Sequence, residues 1–170
     1  MKAIYAGSFD PITNGHLEVA NRALLLFGNI TFAIANTPRK TGLFTPDERI
    51  DLIIRSLASI KQPLVHVTVE KFDGLLTDYA KKFGRVVIVR GLRAVADFEF
   101  EFQFALANKA LWDSAKSASE PDLEFVHLMT NESNLYTSSS LVREVAYFGG
   151  NVSRFVPSPV KEALEKKYGR

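Results

Sequence analysis

Five short apolar runs, at residues 3–6, 30–35, 65–69, 86–89 and 123–129, alternate with stretches of helical spacing. No other feature constrains the fold as much. Leu17, Ala20, Leu24 and Phe27 recur at helical intervals, as do Ile50, Ile53, Ile54 and Leu57. Thr45, Pro46 and Glu48 supply an N-cap, a first-turn proline and the N3 acid of a capping box. Residues 75–83 form a short third helix closed by Gly84. Strands alternating with helices predict an α/β fold with a doubly wound, five-stranded parallel sheet and right-handed crossovers. Ligands of such sheets bind at the carboxyl ends of the strands.

One segment resists the pattern. Residues 97–104 alternate polar and apolar side chains, which favours a strand. They run into strong helix formers at 105–112, and a crossover helix is due there. The segment is therefore read as helix, with Phe98/Phe102 and Phe100/Phe104 as i,i+4 pairs on two faces. One face packs on the sheet; the other meets another subunit or a loop of the same chain. Residues 116–122 read as a polar loop. Ser158 and Pro159 read as N-cap and N1 of a C-terminal helix.

The 170 residues suit one domain spanning 1–170, and the apolar and charged shares of 46% and 24% are those of a globular protein. A net charge of +2 gives no reason to expect nucleic acid. With no cysteine there are no thiolate metal sites and no cysteine nucleophile. No apolar run is long enough to span a membrane, and Asp10 and Pro11 interrupt the N-terminal one. A cytoplasmic location is the expectation.

The chemistry gathers where strands end. The first run breaks into Gly7, Ser8, Phe9, Asp10 and Pro11, and a helix opens at Thr13, Asn14, Gly15 and His16. Backbone N–H groups in such a turn, with the helix N-terminus, attract phosphate. His16 and Ser8 can each donate to a phosphate oxygen. After the fourth run, Arg90 and Arg93 flank Gly91 and Leu92, a pattern suited to bidentate anion binding; the bland alternative is two surface salt bridges. After the fifth, Thr137, Ser138, Ser139 and Ser140 precede a helix carrying Arg143. One serine suffices for capping, so the group points to an anion. His66 and His127, in strands, read as structural.

These three motifs, in order over nearly the whole chain, resemble those of the nucleotidylyltransferase superfamily, and within it the bacterial phosphopantetheine adenylyltransferase family. The resemblance implies a Rossmann-like nucleotidylyltransferase fold and a homohexamer whose interface includes Phe98, Phe100, Phe102 and Phe104. It implies reversible adenylyl transfer from ATP to 4′-phosphopantetheine, giving dephospho-coenzyme A and pyrophosphate, with Mg²⁺ carried by the ATP phosphates rather than by protein ligands. His16 is then the transition-state stabiliser, acting with Lys40 and Arg93. The acceptor is held by Ser8, Lys40, Leu75, Leu76, Arg90 and Asn108. ATP is held by Ser8, Phe9, His16, Gly91, Leu92, Arg93 and Glu101, and by Asn134, Leu135, Tyr136, Thr137, Ser138, Ser139 and Ser140. Asn134 departs from the family, which usually has an aromatic there; Tyr136 is the candidate substitute. Without the family, Leu75 and Leu76 read as a helix core pair and Asn108 as a polar surface residue.

The Walker loop and the dinucleotide fingerprint are both missing from the chain. Two rivals stay open: another nucleotidylyltransferase with a different acceptor, such as nicotinamide mononucleotide, and a nucleotide-binding protein without turnover.

Overall fold

The computed structural model describes residues 1–36, 42–60, 65–117, 119 and 121–169. Lys40 lies outside them, as do Ala118 and Glu120 of the 116–122 loop. The elements run β1 (Lys2–Gly7), α1 (Asn14–Phe27), β2 (Ile30–Ala35), α2 (Pro46–Ser59), β3 (Val67–Phe72), α3 (Leu76–Lys81), β4 (Val86–Leu92), α4 (Val95–Ala115), β5 (Glu124–Met129), α5 (Ser139–Tyr147) and α6 (Ser158–Lys167). All strands pair in parallel, in the order β3-β2-β1-β4-β5. The chain thus builds outward from β1 in one direction and then restarts beside it with β4. Crossovers leave in opposite directions at that point and open a crevice above the β1 and β4 ends.

Both faces of the central strands are covered, which is why β1 reads as an unbroken apolar run. Ala3 and Tyr5 join one cluster with Ile12, Val19, Phe32, Ile53, Val89 and Leu164. Ile4 and Ala6 join the other with Phe72, Leu76, Tyr79, Ile88, Trp112 and Leu123. The Thr45 capping box forms: Glu48 N–H donates to Thr45 Oγ1 (3.2 Å) and Thr45 N–H to Glu48 Oε2 (2.7 Å).

Several sequence expectations shift. β3 begins at Val67 and runs to Phe72, so His66 lies in the preceding turn, exposed, rather than in a strand. The buried face of α2 is Arg49, Leu52, Ile53, Ser56 and Leu57, while Ile54 faces outward. The apolar spacing alone hides this, because a buried arginine belongs to that stripe. α6 is capped by Pro157, placing Pro159 at the second helical position and Ser158 at the first.

Residues 97–104 are helical, within α4. The two i,i+4 pairs stack, with ring centroids 5.9 Å apart for Phe98/Phe102 and 6.3 Å for Phe100/Phe104. Parallel pairing of β4 with β5 demands a crossover, and that outweighs the local alternation. No described segment of the chain covers Phe98, Phe100 or Phe102, each more than half exposed.

Candidate active site

A cavity of about 1310 Å³ opens in the crevice above β1 and β4. Its polar end is built by the three motifs. His16 sits at the third position of α1, where a capping box usually has a carboxylate or amide side chain. Thr13 N–H donates to His16 Nδ1 (3.0 Å), and His16 N–H reaches Thr13 Oγ1 (3.4 Å). A ring nitrogen that accepts from a backbone N–H carries no proton, so in the neutral imidazole the proton is on Nε2. Burial, then the charges of Arg93 and Arg90, push the His16 pKa down to about 4. At neutral pH His16 is therefore an uncharged Nε2–H donor. The Phe9 ring supports it edge-on at 5.2 Å.

The arginines arrive already paired. Glu101 grips Arg90 bidentately, at 2.7 Å to Nε and 2.6 Å to Nη2, and Arg90 Nη1 donates to the Ala6 carbonyl. Arg90 also lies 5.0 Å over the Phe104 ring. Arg93 is forked by Asp97 (Nε 3.0 Å, Nη2 3.2 Å) and donates from Nη1 to the Thr137 carbonyl (3.0 Å). Each guanidinium has five N–H donors, so some remain for a ligand. Ser138 caps α5, accepting from Leu141 N–H at 3.0 Å. The Ser139 hydroxyl donates to the Pro11 carbonyl (2.8 Å), joining the first and third motifs.

Sequence reading missed Asp10 and Arg49. The buried Asp10 carboxylate accepts from Leu43 N–H (3.0 Å) and Phe44 N–H (2.9 Å). It lies 3.4 Å from Arg49 Nε and 3.4 Å from Arg143 Nη1. Arg49 in turn donates to the carbonyls of Phe44 (2.8 Å) and Ser8 (3.2 Å). A Cβ at Gly42 would fall 1.9 Å from Arg49 Nη2, so this hub requires glycine there. The sequence signal was a charged residue on the buried side of α2.

The other end of the cavity is apolar. Phe72, Leu75, Leu76, Phe100, Phe104 and Leu111 line it, with Asn108 among them. Phe100, Phe104, Asn108 and Leu111 form one stripe of α4. Asn108 is buried, its amide donating to the Phe104 carbonyl (2.8 Å), which corrects its reading as a surface residue. Leu76 is core, but Leu75 precedes α3 as its N-cap and is half exposed. Of the phenylalanines expected at an interface, Phe100 and Phe104 face this cavity, leaving Phe98 and Phe102 on the other side.

Of the expected site residues, Ser8, Phe9, His16, Leu75, Leu76, Arg90, Gly91, Arg93, Glu101, Asn108 and Thr137 to Ser140 line the cavity. Phe9 is only 2% exposed, so its ring is core and what it offers a ligand is backbone. Leu92, Asn134, Leu135 and Tyr136 are not in the lining. Asn134 packs instead over Gly15, where a Cβ would lie 3.3 Å from its own, and Tyr136 is 85% exposed.

Known proteins agree with this architecture. Residues 4–145 match the cytidylyltransferase-like family. The chain is 49% identical over 168 residues to the phosphopantetheine adenylyltransferase of Anaeromyxobacter sp. (strain K), covering 99% of this chain and 95% of that one. It is 46% identical to that of Thermodesulfovibrio yellowstonii, covering 97% and 96%. A bifunctional NMN adenylyltransferase/ADP ribose pyrophosphatase from Francisella tularensis superposes with a TM-score of 0.73 at 15% identity, over 99% of this chain. The chain spans half the length of that protein, and the likeness is one of fold. At nearly full length and close to half its residues identical, the chain belongs to the phosphopantetheine adenylyltransferase family of nucleotidyltransferases.

Proposed function

We propose that the chain transfers the adenylyl group of ATP to the phosphate of 4′-phosphopantetheine, releasing dephospho-coenzyme A and pyrophosphate. One observation carries the reading: a single cavity joins a donor-rich end at the α1 and α5 N-termini to an apolar arm between α3 and α4. A triphosphate suits the first, and a thin arm ending in a phosphate suits the second. An acceptor oxygen attacks the α-phosphorus, the new P–O bond forms, and the bond to the β-phosphate oxygen breaks as pyrophosphate leaves. The acceptor phosphate is anionic at neutral pH, so no base is required. The neutral Nε2–H of His16 supports the charge that builds on the α-phosphate oxygens, and fixed donors of this kind do most when they need no reorganisation. Ser8 and Arg90 hold the acceptor phosphate, with Lys40 assigned there by resemblance. Arg93 and Ser138, Ser139 and Ser140 hold the leaving pyrophosphate. Leu75, Leu76 and Asn108 line the pantetheine arm, joined by Phe100 and Leu111.

The cavity carboxylates Asp10, Asp97 and Glu101 are each engaged with arginine. Among the described residues no three acidic or histidine side chains converge as a metal cage. We assign Mg²⁺ to the triphosphate oxygens, where it would neutralise their charge. The stacked Phe98 and Phe102 face supports self-association, which we assign to a homohexamer. No described helix is long and apolar enough to cross a membrane, and ATP as substrate accords with the cytoplasm.

The test is pyrophosphate release from ATP and Mg²⁺ with 4′-phosphopantetheine or nicotinamide mononucleotide as acceptor. Release with the first alone, matched by dephospho-coenzyme A, is expected. Release with the second alone would overturn the acceptor assignment.

A further inference from the structure

The Tyr5 ring is locked in the core beneath the cavity, 5.1 Å from the Phe9 centroid, 5.6 Å from Phe32 and 6.3 Å from His16. Tyr5 is only 4% exposed, yet it lines the cavity. Among the described residues its hydroxyl makes no hydrogen bond. A phenylalanine would pack equally well there, and the hydroxyl is not among the buried unpartnered polar atoms of the described residues, so it faces the cavity, where a ligand oxygen can take the place of water. The Tyr5 oxygen lies beside Gly91, which has no side chain to stand against it. A Cβ at that position would stand 3.5 Å from the Tyr5 oxygen and 3.2 Å from Val19 Cγ2. Tyr5, His16 and Gly91 all line the same cavity.

We propose that the Tyr5 hydroxyl is a further nucleotide-binding group, donating to a ribose or α-phosphate oxygen of ATP lodged beside Gly91. The inference rests on the adenylyltransferase reading for the identity of the nucleotide. Burial raises the phenol pKa well above its ordinary value, so the group remains a donor throughout the working pH range.

Tyr5→Phe removes the hydroxyl and keeps the ring. ATP binding is measured by calorimetry without acceptor, beside the unaltered chain. The expected result is ATP affinity about 3- to 10-fold weaker, the worth of one neutral hydrogen bond. The KM for 4′-phosphopantetheine should not rise and the Tm should not fall. Repeating the titration with 2′-deoxy-ATP and 3′-deoxy-ATP separates the sources. A penalty that persists with both assigns the contact to phosphate; one that vanishes with either assigns it to that ribose hydroxyl. Equal ATP affinity in the two proteins overturns the inference, as does an equal rise in both KM values. Failure of the unaltered chain to bind ATP overturns the enzymatic reading as well. A 3-fluorotyrosine at position 5 gives a second readout, independent of the variant's folding. Its ¹⁹F resonance should shift with ATP and not with 4′-phosphopantetheine; the reverse pattern counts against the proposal.

Discussion

The two ends of the cavity are held in different ways. At the polar end every charged group that lines the cavity among the described residues has a partner before any ligand arrives: Arg90 with Glu101, Arg93 with Asp97, Arg49 and Arg143 with Asp10. At the apolar end, Phe100 and Leu75 are half exposed or more, held by α4 and α3 and not by contacts of their own side chains across the gap. The first end is preorganised by electrostatics and the second awaits burial. Substitutions at the polar end should therefore cost rate or stability, whereas those at the apolar end should cost acceptor affinity.

The sharpest way to break this contrast is His16→Ala. Removing a fixed transition-state donor is expected to lower kcat about 100- to 1000-fold, far more than the loss of about 1 kcal/mol of stability from the broken Thr13 N–H cap would explain. Retention of full turnover would remove His16 from the chemistry. Next in size is Asp10→Ala. The carboxylate is buried between two arginines and two backbone N–H groups. Taking away one partner of a buried ion pair strands the others, so stability should fall by about 3 kcal/mol. Denaturant titration of the unliganded protein checks it. A loss of activity at unchanged stability would make Asp10 a ligand group rather than a hub.

At the apolar end Phe100→Ala is expected to raise the KM for 4′-phosphopantetheine about 10-fold, the scale of one aromatic side chain's partial burial on binding. The KM for ATP should not move, since Phe100 shares its stripe of α4 with Phe104, Asn108 and Leu111 on the apolar arm. An equal rise in both would show that the two ends are not separable.

That separation also explains what could be read from the chain beforehand. The polar end is local: His16 and its cap lie within four residues, and Ser138 caps the helix it precedes. Such geometry follows from short sequence patterns, as does the strand–helix alternation that sets the sheet. What was not legible depends on distant pairing. Arg49 looks like a surface charge until α2 turns it toward Asp10, thirty-nine positions earlier. Asn108 looks exposed until α4 is laid along β4 and β5. Phe98 and Phe100 are nearly equivalent in sequence, and only the rotation of α4 sends one away from the cavity and the other into it.

The smallest effect expected is one of pH, and it bears on the claim that the polar end is preorganised. His16 titrates near 4 because burial and the flanking arginines disfavour the imidazolium. Turnover with saturating substrates should therefore be flat from pH 8 to about 6.5, and its acid limb should follow the acceptor's phosphate, whose second pKa is about 6. A limb set by a histidine of ordinary pKa would contradict the neutral-donor role. The same shift has a sign in stability. In the unfolded chain the imidazole takes up its proton near 6.5, while in the fold it resists until about 4. Protons thus favour the unfolded state across that window, and stability is lost as pH falls from about 6.5 toward 4. His16→Asn cannot titrate, so its stability should fall less between pH 7 and pH 5, by about 2 kcal/mol. Parallel losses in the two proteins would mean that His16 is no more sheltered than a surface histidine.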